Sequence, residues 1–270
     1  MILFSILLAK IMTDNIELLD SKFQVEILSQ TPRPNLLCYL AMHQDYSEDF
    51  VWGEWTKLSS YSEQELGDRI VRNCVNKNHW GILEHPSITF NVINFPHSVM
   101  VQARTHRIGI TFDCQSQRYT GKRILRLNQA LKKVTTNKEI WELLEEVFYF
   151  RPTGYYFDRE GNKYFYSPEE RKKDLFFTKT AVEYYADKVE NQGYAPEHAR
   201  DLLTQNIRQH FVVTFNARSL LHFSDLRLPK DAQPEIRNLA SLIFKHFNNW
   251  MPQVAEFYSK KRFGKNLLAP

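Results

Sequence analysis

Gln102-Ala-Arg-Thr-His-Arg-Ile-Gly-Ile-Thr-Phe-Asp-Cys-Gln-Ser-Gln-Arg-Tyr119 is the stretch on which the reading of this chain turns. It holds Arg104, Arg107 and Arg118 together with His106, Gln102, Gln115, Ser116 and Gln117, and Asp113 is its one acid. Fixed cations beside neutral hydrogen-bonding groups suit a phosphorylated, planar ligand, because a guanidinium grips phosphate through two parallel hydrogen bonds. The chain contains neither Gly-x-Gly-x-x-Gly nor Gly-x-x-x-x-Gly-Lys-Ser/Thr. A nucleotide bound here is therefore held by side chains and not by a glycine-rich backbone loop.

Working outward, Ile88 to Phe95 alternates apolar and polar residues as a half-buried strand does, and Pro96 ends it. The residues from about Ser98 then read as a helix that delivers His106 and Arg107 to its C-terminal end. Ser60 to Lys77 reads as a helix with Leu66, Ile70 and Cys74 on one face, and Asn137 to Phe150 as a second. Arg151 to Tyr166 is turn-rich and predicts an exposed hairpin. Ser167-Pro-Glu-Glu170 is a capping box with proline at the first helical position. It starts a long helix toward Gly193, with Leu175, Thr178, Val182, Tyr185 and Val189 inward. Pro196 to Gln205 reads as a helix, His210 to Phe215 as a strand and Asn216 to Leu226 as a helix. Ala232 to Tyr258 closes the chain as one helix on Ile236, Leu239, Ile243 and Phe247. Helices outnumber strands, so the expected class is α+β.

Composition sets the bounds. With 270 residues, 43% of them hydrophobic, the chain can bury a large core. The +4 charge, from 35 basic and 31 acidic residues, suits anionic substrates and is too small to demand nucleic acid. Cys38, Cys74 and Cys114 form no Cys-x-x-Cys pair, which argues against disulfides or a metal site and for a cytoplasmic protein. Met1 to Ile11 is apolar but far shorter than the roughly 20 residues a membrane span needs. It also lacks a basic start and a cleavage site. It is read as an assigned upstream start, with Met12 the alternative, or as a disordered extension. The expected organisation is an extension over 1–20 and one domain over 21–270.

The opening stretch resembles the signature of the flavin-dependent thymidylate synthases, in which Arg-His-Arg is followed after seven residues by Ser-x-Arg-Tyr. Here Thr105-His106-Arg107 is followed after eight by Ser116-Gln117-Arg118-Tyr119. Threonine thus replaces the first arginine, with Arg104 beside it to supply a guanidinium. Three further blocks carry the resemblance in the same order. His79 stands six residues before His85 in a Glu84-His85 pair followed by Thr89-Phe90. Asn216-Ala-Arg218-Ser-Leu is followed by Arg227, eleven residues after the asparagine. Arg200 stands sixteen residues before Asn216. The family's Ala-Arg-x-Ser block is replaced by Ala41-Met-His-Gln-Asp-Tyr-Ser47, and its frequent asparagine by His222.

The resemblance implies a compact domain with a central mixed or antiparallel sheet flanked by long helices, assembled as a homotetramer with sites at subunit interfaces. It implies conversion of dUMP to dTMP with methylenetetrahydrofolate, FAD and NADPH. His79, Glu84, Arg104, His106, Arg107, Asn216, Arg218 and His222 are then expected on the flavin side. Gln102, Gln115, Ser116, Gln117, Arg118, Arg200 and Arg227 are expected to hold the nucleotide, with Arg227 polarising the pyrimidine. Cys114 is read as a small loop residue and not as a nucleophile. Two rival readings stay open. A single-strand nucleic-acid binder would use the basic and aromatic residues around Arg118-Tyr119 and Tyr258 to Arg262, and would be colourless. A flavoprotein of the same fold with an altered substrate would bind FAD without forming dTMP.

Overall fold

The structure, a computed structural model, describes residues 17–158 and 160–264. Strand β1 (Gln24–Gln30) leads into helices α1 (Pro34–Tyr46) and α2 (Glu63–Asn73), then β2 (Ser87–Pro96), α3 (His97–Ala103) and β3 (Ile110–Cys114). Helices α4 (Lys122–Leu131) and α5 (Asn137–Val147) precede the hairpin β4 (Gly154–Phe157) and β5 (Lys163–Tyr166). The long α6 (Pro168–Glu190) is followed by β6 (Arg208–Asn216), α7 (Ala217–Arg227), α8 (Pro234–Trp250) and α9 (Pro252–Lys261). The expected α+β class and the flanking long helices are borne out. The central sheet is antiparallel, in the order β1-β2-β6-β3. Of the expected extension, residues 1–16 lie outside the described residues. Leu19 donates its backbone N–H to Asn238, and Asp20 pairs with the buried Arg208.

Local signals explain most boundaries. Ser62 and Glu65 form a reciprocal capping box, so α2 starts there and not at Ser60. The Ser167 hydroxyl accepts from the Glu170 N–H at 3.1 Å, which opens α6. Further expectations need correction. The helix expected to carry His106 and Arg107 at its C-terminal end stops at Ala103, and both residues stand in the turn beyond it. The helix expected to run to Phe150 stops at Val147, because Phe148 leaves it for a bridge with Ile207. Pro196 to Gln205 forms only the single turn Pro196–Ala199 and a 3-10 turn at Arg200–Leu202, since Ala199 alone is buried and offers no apolar stripe. The closing helix is two helices, because Pro252 has no N–H to continue the ladder and Met251 leaves helical geometry. Cys114 is the last residue of β3 and not a loop residue.

The main core lies between the sheet and α1, α2, α3, α7, α8 and α9, with Phe90, Phe95, Phe215, Phe223, Phe244 and Phe247 fully buried. Phe23 stacks on Phe95 at 4.2 Å between ring centroids. A second cluster, including Leu127, Leu144, Val182 and Tyr185, joins α4, α5 and α6.

Strand register then places the motifs. Ser87 pairs with Asn216 at the end of β6, and the Ala217 N–H donates to the Pro86 carbonyl. Glu84 is thereby brought to the start of α7. On the other edge Ile110 pairs with Phe215, and the Asn216 N–H donates to the Gly109 carbonyl. The His106 turn is thereby brought to the same helix.

Candidate active site

Helix α7 is the frame of the first cluster. Asn216 is its N-cap, with Oδ1 accepting from the Ser219 N–H at 2.8 Å. Gly109 lies against this cap at φ +66°, and a Cβ there would fall 2.2 Å from Ser219 Oγ and 2.4 Å from Asn216 Nδ2. Only glycine allows that approach in that conformation. Two residues past the cap, Arg218 Nη1 pairs with Glu84 Oε1 at 2.5 Å. In the last turn Arg227 Nε donates to His106 Nε2 at 2.9 Å. The His106 ring is 8% exposed and meets Phe223 and His222 edge-on at 5.1 and 6.0 Å. Burial first, then the Arg227 and His222 charges, lower its pKa to about 4. His106 is therefore neutral at pH 7. Arg227 is shifted down by burial alone and, as a guanidinium, stays charged.

The second cluster is a cleft of about 530 Å3. Arg104, Gln115, Ser116, Gln117 and Arg200 line it together with His97, Cys114 and Asp201. Neither Arg104 nor Arg200 has a carboxylate partner among the described residues. Their charges, after burial, push the His97 pKa down. The carbonyl oxygen of the Gln115 side chain is buried without a hydrogen-bond partner. At the rim Arg118 Nε meets Glu197 at 3.4 Å, which ties the Ser116–Arg118 segment to the turn carrying Arg200. Gly121 packs under the same segment, where a Cβ would fall 2.3 Å from the Tyr185 hydroxyl.

Residues from three of the four sequence blocks thus meet in pairs that no single block contains. Other expected residues lie apart. Gln102 is not part of the cleft wall, and its side-chain oxygen is buried and unpartnered. His79 faces Asp45 at 3.8 Å. Arg107 is exposed. Arg104, expected on the flavin side, lines the cleft, while the Thr105 hydroxyl turns back to the Gln102 carbonyl at 2.8 Å. Sequence reasoning missed His97 and Asp201. Position after Pro96 at the start of α3 was the one available hint for His97, and Asp201 had none beyond its neighbour Arg200.

The sequence model of the family described as thymidylate synthase complementing protein, Thy1, matches residues 26–253. The chain belongs to this family, that of the flavin-dependent thymidylate synthases. It is 28% identical to the flavin-dependent thymidylate synthase of Haloarcula marismortui over 256 residues, which cover 91% of this chain and 99% of that one. Over 191 residues it is 32% identical to the enzyme of that name from Pyrococcus furiosus, covering 70% of this chain and 66% of that one. Among solved structures, thymidylate synthase X from Helicobacter pylori with FAD and dUMP shares the fold at a TM-score of 0.64 and 18% identity, over 88% of this chain and 99% of that one. The UMP/dUMP methylase PolB from Streptomyces cacaoi, bound with 5-Br dUMP, does so at 0.63 and 20%, over 88% and 95%. Among the described residues of this family member no helix is long and apolar enough to cross a membrane.

Proposed function

We propose that this chain converts dUMP to dTMP, with methylenetetrahydrofolate as carbon donor, FAD as cofactor and NADPH as reductant. The observation that carries the reading is the cleft, in which Arg104 and Arg200 form no ion pair among the described residues and stand beside Ser116, Gln115 and Gln117, with Asp201 the one acid of the wall. Two guanidinium groups outside any ion pair among the described residues, with neutral hydrogen-bonding groups beside them, match a nucleotide monophosphate. Arg104, Arg200, Ser116 and Gln117 hold its phosphate and sugar, and Arg118, paired with Glu197, ties the loop to the turn that carries Arg200. Fixing the nucleotide in this way removes rotational freedom before reaction.

Arg227 is the charged group of the reaction. Making the pyrimidine's vinylic carbon nucleophilic requires a polarised ring with negative charge on a carbonyl oxygen, and a preorganised cation stabilises that charge. The α7 cluster suits the flavin side. Arg107 and the Glu84-paired Arg218 offer cations for a diphosphate, His222 offers a ring edge with the buried His106 beside it, and Asn216 and His79 complete the polar border. When bound, FAD supplies the hydride that completes the methyl group. Cys114 takes no part in bond making: burial pushes its thiol pKa up, away from the thiolate that nucleophilic attack needs. The expected homotetramer is supported by exposed apolar side chains such as Ile108, Trp52, Phe157 and Phe177. A cytoplasmic location is supported by three unpaired cysteines.

The test is the visible spectrum of the purified protein, followed by addition of dUMP, methylenetetrahydrofolate and NADPH, with UMP as the control substrate. A flavin spectrum with dTMP formation is expected. In Arg227→Ala, dTMP formation falls by roughly 100-fold or more, as for loss of a preorganised charge donor, with FAD retained. Flavin without dTMP points to an altered substrate, and a protein that stays colourless after FAD is added ends the reading.

A further inference from the structure

Arg227 has one hydrogen-bonded side-chain partner among the described residues, and that partner is His106. The contact uses Nε, the inner nitrogen of the guanidinium. An acceptor at Nε fixes the plane of the group and leaves both outer nitrogens free to donate. We propose that His106 is a positioning residue for Arg227, a neutral imidazole acceptor that aims the guanidinium at the nucleotide without cancelling its charge. The proposal rests on the reading of Arg227 as the group that polarises the pyrimidine.

The choice of side chain follows from electrostatics. A carboxylate at this place would orient Arg227 equally well, but the pair would be neutral and its field at a nearby oxygen much weaker. Elsewhere the chain orients arginines in that way: the buried Arg208 meets Asp20, the buried Arg262 meets Asp225, and the half-buried Arg151 meets Glu235 through two nitrogens. Arg227 is the contrast, since a neutral ring replaces the acid. Imidazole also suits the packing, because its flat body lies among Phe223 and His222 while one edge accepts.

Acceptance at Nε2 puts the imidazole proton on Nδ1. A second proton on the ring would leave nothing to accept from Arg227 and would set two cations in contact. The charged and titratable groups that face the ring, Arg227 and His222, both come from α7, and both oppose that second proton, as does burial.

The experiment is a double-mutant cycle on the holoenzyme with His106→Leu, His106→Gln, Arg227→Ala and His106→Leu/Arg227→Ala. Flavin absorbance, kcat and KM for dUMP are read for each. Loss of positioning lowers kcat by about 10- to 100-fold in His106→Leu, with KM for dUMP within about threefold. Glutamine keeps an acceptor and restores most of that loss. The double variant is no slower than Arg227→Ala, because His106 acts through a group already removed. If the double variant is slower than Arg227→Ala by the full His106→Leu factor, His106 acts on something else and the proposal is overturned. If Arg227→Ala itself turns over normally, the reading of Arg227 fails first, which the cycle separates from failure of the His106 step. Should His106→Leu not fold or not hold flavin, long-range 15N spectra of the histidines in the unaltered enzyme decide. An Nδ1–H tautomer from pH 8 to 5.5 is expected, whereas an Nε2–H tautomer or an imidazolium at pH 7 overturns the assignment.

Discussion

On the α7 face, Arg227 holds His106, Arg218 holds Glu84 and Asn216 caps its own helix. In the cleft, Arg104 and Arg200 both act on His97, neither is ion-paired among the described residues although Asp201 lines the same wall, and the Gln115 oxygen is buried with no partner among those residues. The two regions are prepared in opposite ways. The first has its geometry fixed by bonds within the chain, as a group that must be aimed requires. The second carries uncompensated charge and unfilled hydrogen bonds, which an anionic ligand satisfies on binding. Under the proposed function, aim belongs to the reacting end of the nucleotide and unpaired charge to its phosphate.

The largest effect that sharpens this contrast is expected in the cleft. Arg200→Ala and Arg104→Ala each raise KM for dUMP by about 10- to 100-fold while kcat changes little, the pattern of lost uniform binding. Arg227→Ala shows the reverse split. Steady-state kinetics with varied dUMP checks both. An Arg104→Ala enzyme with unchanged KM, turnover and flavin content removes Arg104 from the site, and a kcat loss equal to the KM rise in Arg200→Ala breaks the contrast itself.

Legibility follows the same division. β2 was readable because alternation is a local signal, and its burial pattern alternates over Ile88 to Val92. The start of α6 was readable from Ser167, Pro168 and Glu170 alone. β1 and α1 went unread. β1 buries only Val25, so an edge strand without alternation looks like a loop. α1 (Pro-Asn-Leu-Leu-Cys-Tyr-Leu-Ala-Met) is apolar around much of its circumference, so no stripe stands out. Inside the signature itself, Ile110–Cys114 is a strand that among the described residues pairs only with β6 and lies hidden among polar motif residues. In the site, residue identities came from the motif blocks, but their pairings did not. Arg227 and His106 are 121 positions apart, and Arg218 and Glu84 are 134 apart. Those contacts exist because β2 and β3 flank β6 in one particular register, which no single block encodes.

A middle-sized effect tests whether the α7 face is as rigid as its bonds suggest. His106 titrates near 4 in the folded chain and near 6.5 when unfolded. As pH falls below 6.5 the unfolded state takes the proton first, so stability falls across the window from 6.5 to 4 and is level above it. For this group the loss between pH 7 and pH 5 is roughly 2 kcal/mol. Urea unfolding at the two pH values, on the enzyme and on His106→Gln, checks it. The glutamine variant should lose that much less stability over the interval. Equal slopes would mean that the turn holding His106 opens to admit the proton, and the picture of a prebuilt face would fail.

The smallest effect is expected at Cys114, which ends β3 on the cleft side, away from the strand end that meets α7. Its side chain helps to wall the cleft, yet the chemistry assigned above asks nothing of it. Burial raises the thiol pKa and Asp113 adds to the rise, while Arg104 pulls the other way without reversing it. At neutral pH the group is a thiol and packs as a small apolar side chain. Cys114→Ala should therefore keep FAD, keep KM for dUMP within about twofold and keep kcat, since removing a small wall atom takes away little uniform binding. Full loss of dTMP formation in a folded, flavin-loaded Cys114→Ala protein would restore the thiolate as nucleophile. It would also move the reacting end of the nucleotide from α7 into the cleft, and the division of labour between the two regions would have to be drawn the other way round.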